Sequence, residues 1–170
     1  TAAIAELGPL KVMVNNAGIL DGYFDVDEMD EALWRKVIDI DLTSVFLGSK
    51  RALREMLPRK RGRIVNMSSV AGLNGTGGGA AYIAAKHGVI GLTRQMAVQY
   101  GARGIRANCV CPAFVVTDIN RDWLRGLPEA QHEALVARHP LGLGAPEDVA
   151  GAVHFLCTDE ARWITGVDLS

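Results

Sequence analysis

Three short apolar runs, set apart by long stretches of helical periodicity, constrain this chain more than any other feature. Leu10 to Val14, Gly62 to Met67 and Ile105 to Cys111 are too short for ordinary helices and lack the alternation of a half-exposed strand. They read as parallel strands buried on both faces. From Asp27 the apolar residues Met29, Leu33, Trp34, Val37, Ile38, Leu42 and Val45 recur at three- and four-residue spacing, continuing through Leu53, Met56 and Leu57 to Pro58. That is too long for one typical helix, so two helices or one kinked helix are expected. The irregularity should fall near Asp39 to Asp41, where two carboxylates flank Ile40. A further helix is expected from about Ala81 to Tyr100, and another from Pro146, with Glu147 and Asp148 in its first turn, to about Thr158. Residues Ala2 to Gly8 read as the last turns of a helix, and a strand begins after Ile164-Thr165-Gly166. Such alternation implies βαβ units, and so an α/β fold: a three-layer, doubly wound parallel sheet with helices on both faces. The chain, 1–170, is expected to form a single domain.

Two segments read as mobile covers. Val70 to Ala80 carries glycines at 72, 75, 77, 78 and 79, and 119–139 holds two short helical pieces around Pro128 with Trp123, Leu124 and Leu127 on a polar background, as a substrate flap would. Composition narrows the function classes. The net charge of -1 supplies no basic field for nucleic acid and no polybasic membrane patch, the one small basic cluster being Arg59-Lys60-Arg61 in a turn. No run approaches the roughly 18 apolar residues that span a bilayer, and no signal-peptide pattern opens the chain, so a cytoplasmic protein is expected. The odd count of three cysteines argues against a disulfide framework, and no Cys or His pair stands at metal-ligand spacing.

The turns that leave the strands, Asn15 to Gly18, Ser68 to Ser69 and Pro112 to Thr117, converge on one sheet edge, where open α/β folds bind ligands. Tyr82 and Lys86, at i and i+4 of a helix, share one face. A phenol with its usual pKa of about 10 is protonated at neutral pH; a neighbouring ammonium favours its anion, and a tyrosine so poised trades protons with an alcohol or carbonyl. Ser69 would emerge beside it from the end of its strand. Taken alone, a Tyr-x-x-x-Lys pair is far more often a solvated helix surface than a site, and Asn-Asn-Ala-Gly equally fits a plain turn. Ser69 as a hydrolytic nucleophile fails, because no Gly-x-Ser-x-Gly elbow surrounds it and no histidine has a triad role. His87 points away from the Tyr82 face, and His132, His139 and His154 are expected on the surface.

Together and in this order, Asn15-Asn16-Ala17-Gly18, Ser69 with Tyr82 and Lys86, Pro112 with Thr117, and Pro146-Glu147-Asp148-Val149-Ala150 closely resemble the short-chain dehydrogenase/reductase family of Rossmann-fold oxidoreductases. The resemblance implies NAD or NADP as cofactor and a small-molecule alcohol or carbonyl substrate. It gives Ser69 the task of holding the substrate oxygen, Tyr82 that of acid/base, and Lys86 that of lowering the tyrosine's pKa and binding the nicotinamide ribose. Asn15, Ala17 and Gly18 would line the adenosine side of the groove, and Pro112, the backbone of Val115, and Thr117 would hold the carboxamide. Relatives are commonly homotetramers built through helices matching about 42–57 and 81–100. The alternatives are a catalytically silent dinucleotide-binding member or, within the enzyme class, a 3-oxoacyl-thioester reductase.

Four departures from the family pattern stand out. The glycine-rich phosphate loop and the residue choosing between NAD and NADP are absent, so the chain reads as a fragment lacking roughly 70 preceding residues, more than one βαβ unit, and the extreme C-terminus. Its strand from Leu10 to Val14 is then expected to be an unpaired edge. Asp41 stands where relatives have asparagine at the helix kink that serves a proton relay to the lysine. Ala113 replaces a glycine, and the turn from Pro140 to Pro146 lacks an arginine that many relatives carry.

Overall fold

A computed structural model of the chain describes residues 2–170. Its sheet contains β1 (Val12–Asn15), β2 (Gly62–Met67), β3 (Ile105–Val110) and β4 (Asp168–Leu169), all parallel and in that spatial order. Seven α-helices surround it among the described residues: α1 (Ala2–Leu7), α2 (Glu31–Ile38), α3 (Ser44–Met56), α4 (Ala80–Tyr100), α5 (Arg121–Arg125), α6 (Glu129–Val136) and α7 (Pro146–Cys157). Strand alternation sorts the core into two halves. Ile64, Ile105 and Ala107 meet Ala52, Leu53 and Met56 of α3 and Met96 and Ala97 of α4, whereas Val65, Met67 and Val110 meet Leu156 of α7 on the opposite face. Nearer the carboxyl ends of the strands, Cys109 and Cys111 pack with Val45, Val89 and Ile90. This is the expected three-layer arrangement. Each large side chain withdrawn so completely contributes about 1.5–3 kcal/mol, which makes the two central strands a rigid platform for what stands at their ends.

The expected kink between α2 and α3 is a π-helical turn, Asp39–Thr43. Such turns insert an extra residue into the helical ladder and often mark functional sites. Val37, Asp41 and Val45, four apart, are all buried, so a carboxylate occupies an otherwise apolar stripe while Asp39 faces solvent. β1 starts two residues later than the apolar run suggested, because pairing begins at Val12 opposite Arg63 and the Leu10 carbonyl is taken by the Arg59 guanidinium. It lies at the edge of the four-stranded sheet, with Val14 40% exposed. Arg106 ties α7 to the sheet by donating to the carbonyls of Leu156 at 2.7 Å, Thr158 at 3.1 Å and Ile164 at 3.0 Å. No described helix is long and apolar enough to cross a membrane.

Candidate active site

The carboxyl ends of β1 and β2, the π-helical turn and the first turns of α4 enclose one polar cluster. Lys86 is 4% exposed on α4, and its ammonium lies 3.1 Å from Oδ2 of the fully buried Asp41. It also donates to the Met67 carbonyl at 3.3 Å and stands 5.2 Å from the centre of the Tyr82 ring. The other Asp41 oxygen, Oδ1, accepts from the Ile19 backbone N–H at 2.8 Å. That bond fastens the Asn15 to Gly18 turn to the π-helical turn. Gly18 lies so close that a Cβ there would come within 3.0 Å of Asp41 Oδ2 and 3.2 Å of Lys86 Nζ, so the position admits no larger residue without moving the ion pair. Ser69 follows β2 in an extended conformation, its Oγ accepting from the Ala71 N–H at 3.2 Å, and its hydroxyl faces the Tyr82 phenol.

The ionisation of Tyr82 runs against the sequence expectation. Burial, the largest influence, pushes the phenol above the ordinary tyrosine range; hydrogen bonding by Ser69 pulls it down, and the carboxylates of Asp41 and Asp21 push it further up. Lys86 was expected to make the phenol acidic, but its charge is engaged by Asp41. One cation and two carboxylates leave the phenol in a negative field.

One expected site residue behaves differently from the rest. Asn15 does not turn toward a groove. Its Nδ2 donates to Ser49 Oγ at 3.1 Å and to Asn66 Oδ1 at 2.7 Å, while Asn66 donates to Thr93 Oγ1 at 2.8 Å. This chain of buried polar groups crosses from α3 through β1 and β2 to α4, and it consumes the Asn15 amide inside the protein. Ala17 is exposed at the turn. His139, expected on the surface, is half-buried: its Nδ1 lies 2.9 Å from the Leu135 carbonyl and its Nε2 accepts from the Phe114 N–H at 3.3 Å. These contacts fit the tautomer protonated at Nδ1.

Pro112, Val115 and Thr117 form a second wall at the end of β3. Gly144 braces it, accepting from Val116 N–H at 2.9 Å and donating to the Phe114 carbonyl at 3.0 Å. Asn120, which sequence reasoning missed, donates from Nδ2 to the Val115 carbonyl at 2.8 Å and accepts from the Thr117 N–H at 2.9 Å. Asp21, also missed, is 1% exposed and accepts from the backbone N–H groups of Gly79 and Tyr82, both at 2.9 Å, and of Tyr23 at 3.3 Å. A signal for it existed. The long helix α4 opens on Gly79, which has no side chain to cap it, so its first N–H groups need an acceptor from elsewhere.

A parallel sheet with a Ser, Tyr and Lys set gathered at its carboxyl edge makes this an α/β protein with a polar cluster where such sheets bind ligands, and comparison with known proteins gives the family. A family model described as enoyl-(acyl carrier protein) reductase matches residues 1–170. Over 170 residues the chain is 46% identical to 2-(S)-hydroxypropyl-CoM dehydrogenase 3 of Xanthobacter autotrophicus, covering 98% of this chain and 66% of that protein. It is 47% identical over 163 residues to the inactive 2-(S)-hydroxypropyl-CoM dehydrogenase 2 of the same organism, covering 94% of this chain and 70% of that one. With 3-oxoacyl-(acyl-carrier-protein) reductase FabG of Vibrio cholerae it shares 42% identity over 165 residues, 96% of this chain and 66% of the relative. The chain belongs to the short-chain dehydrogenase/reductase family. It spans just under two thirds of the length of the Xanthobacter dehydrogenase 3 and Vibrio relatives.

Proposed function

We propose that the protein is a nicotinamide-dependent oxidoreductase that interconverts a ketone and a secondary alcohol. One observation carries this reading: Tyr82, Ser69 and the buried Lys86–Asp41 pair stand together at the carboxyl edge of the sheet. The wall at Val115 and Thr117 fits the cofactor's carboxamide. Asn120 holds this wall in shape by taking the Thr117 N–H and one lone pair of the Val115 carbonyl, whose second lone pair stays open to an amide donor. Gly18 allows close approach to Lys86, which would hold the nicotinamide ribose. Bound NADH or NADPH would supply the hydride, and the oxidised form would accept it. Relatives named as a hydroxypropyl-CoM dehydrogenase and a 3-oxoacyl reductase support a CH–OH or carbonyl substrate, with a 3-oxoacyl thioester as the alternative within the class.

Ser69 orients the substrate oxygen, and Tyr82 moves the proton. In reduction the phenol O–H gives its proton to the carbonyl oxygen as the carbon receives hydride; in oxidation the phenolate takes the proton back. The upward push on Tyr82 fixes the pH dependence. Below its pKa the phenol is protonated, so carbonyl reduction is sustained at neutral pH; alcohol oxidation needs the anion and climbs with alkalinity. Asp41 acts through Lys86, holding the ammonium and adding to the negative field at the phenol. The 119–139 segment serves as the substrate flap. Assembly as a cytoplasmic homotetramer through α3 and α4 accords with Phe46 and Leu47 standing 46% and 55% exposed on α3.

A second reading, a family member that binds a dinucleotide without turnover, draws on the 47% identity to a relative named as inactive and on Asp41 itself. Absorbance at the nicotinamide band decides between the two, using the full-length protein with ketones, 3-oxoacyl thioesters and secondary alcohols. Turnover that falls about 100- to 10,000-fold in Tyr82→Phe is expected. Binding with no turnover on any substrate favours the silent reading.

A further inference from the structure

The buried carboxylate of Asp21 does work that the Ser69, Tyr82 and Lys86 set does not account for. It sits in the turn after β1, 58 and 61 residues from the Gly79 and Tyr82 N–H groups at the start of α4 from which it accepts. The chain bends sharply to deliver it. Gly22 and Tyr23 follow with φ of +79° and +62°, and a tyrosine in the left-handed region carries strain that surrounding contacts must offset. Tyr23 turns its own N–H back onto Asp21 Oδ1. The receiving end is shaped to match: a Cβ at Gly79 would lie 2.7 Å and 2.8 Å from the two carboxylate oxygens, so only glycine leaves room for them. A carboxylate accepting two N–H groups at the start of a helix is favoured by both hydrogen bonding and the helix dipole.

We propose that Asp21 is a positioning residue for the reaction, which pins the first turn of α4 through the Tyr82 backbone and so fixes where the phenol stands relative to Ser69 and Lys86. This rests on Tyr82 being the acid/base. The groups that face the phenol are the Asp21 carboxylate from the turn after β1, Asp41 from the π-helical turn, Lys86 from α4 itself, the Ser69 hydroxyl from the end of β2, and the Tyr23 phenol. Asp21 is therefore felt in two ways, through the backbone it holds and through its charge.

Two variants of the full-length protein separate these effects. Asp21→Asn keeps the size but removes the charge and replaces one acceptor with an NH2 that meets an N–H. Gly79→Ala keeps the charge and pushes the carboxylate off the helix. Both are expected to lower kcat roughly ten- to a hundredfold with KM little changed, because Asp21 does not touch substrate. In Asp21→Asn the Tyr82 ionisation, read at the tyrosinate absorbance band after subtraction of a Tyr82→Phe background, is expected to move to lower pH. A folded Asp21→Asn protein with wild-type kcat and an unmoved tyrosine titration overturns the proposal. If Asp21→Asn does not fold, Gly79→Ala decides it: lowered kcat at unchanged KM supports it, and wild-type kcat overturns it. A wild-type protein that turns over no ketone or alcohol defeats the functional reading instead, and the tyrosine titration still judges Asp21.

Discussion

The two walls of the site are built on opposite plans. The Tyr82 wall is buried and cross-braced, with Lys86, Asp41 and Asp21 each no more than 4% exposed and each bonded to elements distant in sequence. The wall from Ala113 to Ala145 has no buried residue, and α5 and α6 contribute nothing to the core. Its order comes from contacts within the segment itself: Asn120 on Val115 and Thr117, His139 on Phe114, and the Phe114–Trp123 ring pair at 5.9 Å. On the proposed reading, proton transfer, which tolerates little displacement, is mounted on the rigid side. On the same reading, shape selection, which needs surface that can vary at low cost to the core, falls to the other side.

This contrast breaks most sharply at Gly18. A valine there drives branched carbons into the Asp41–Lys86 pair, where even a Cβ would stand 3.0 Å from Asp41 Oδ2. The expected outcome is a loss of kcat of about a hundredfold or more, since misplacement by about 1 Å costs that much. Steady-state kinetics with a circular dichroism control check it. Near-wild-type turnover would mean that the rigid wall is less tightly specified than its contacts imply.

Asp41→Asn is expected to act next most strongly, and on the pH profile more than on its height. Removing this carboxylate releases the Lys86 ammonium toward the phenol and deletes one of the charges that hold Tyr82 up. The tyrosine's pKa then falls. The oxidation limb moves toward neutral pH, and reduction is lost at a lower pH than in the wild type. If the two pH–rate profiles coincide, Asp41 is not coupled to the proton transfer. Some loss of stability accompanies the change, because Lys86 stays buried with a weaker partner.

What the amino-acid sequence made legible follows the same division. β2 could be bounded to the residue, because its run lies between the basic turn Arg59-Lys60-Arg61 and the Ser68-Ser69 turn. The spacing of Tyr82 and Lys86 is a local property of a helix. The interruption at Asp39 to Asp41 was visible as carboxylates on an apolar stripe, although its form, a π-helical turn, was not. The inward bonding of the Asn15 amide was not legible, because it is decided by Ser49 and Asn66, residues 34 and 51 positions away. The direction of the Tyr82 shift was missed for a similar reason: only the folded chain brings Asp41 and Asp21 to the phenol and ties up the lysine that was to acidify it.

The exposed wall yields the smallest effects and the most selective ones. Trp123 is 56% exposed and its one aromatic neighbour is Phe114, the residue before Val115. Such a ring pair is worth about 0.5–1.5 kcal/mol, and no residue of α5 is buried, so Trp123→Ala removes contact surface without opening the core. The expected result is a melting temperature close to wild type and an unmoved pH profile. KM for bulky ketones should change by up to about tenfold, with little change for the smallest substrates, one decade corresponding to about 1.4 kcal/mol. Comparing KM across a series of ketones of increasing size tests this. A uniform loss of kcat across the series would show that Trp123 reaches the proton-transfer geometry through Phe114 and Val115, and the division between a rigid chemical wall and an adaptable selective one would have to be abandoned.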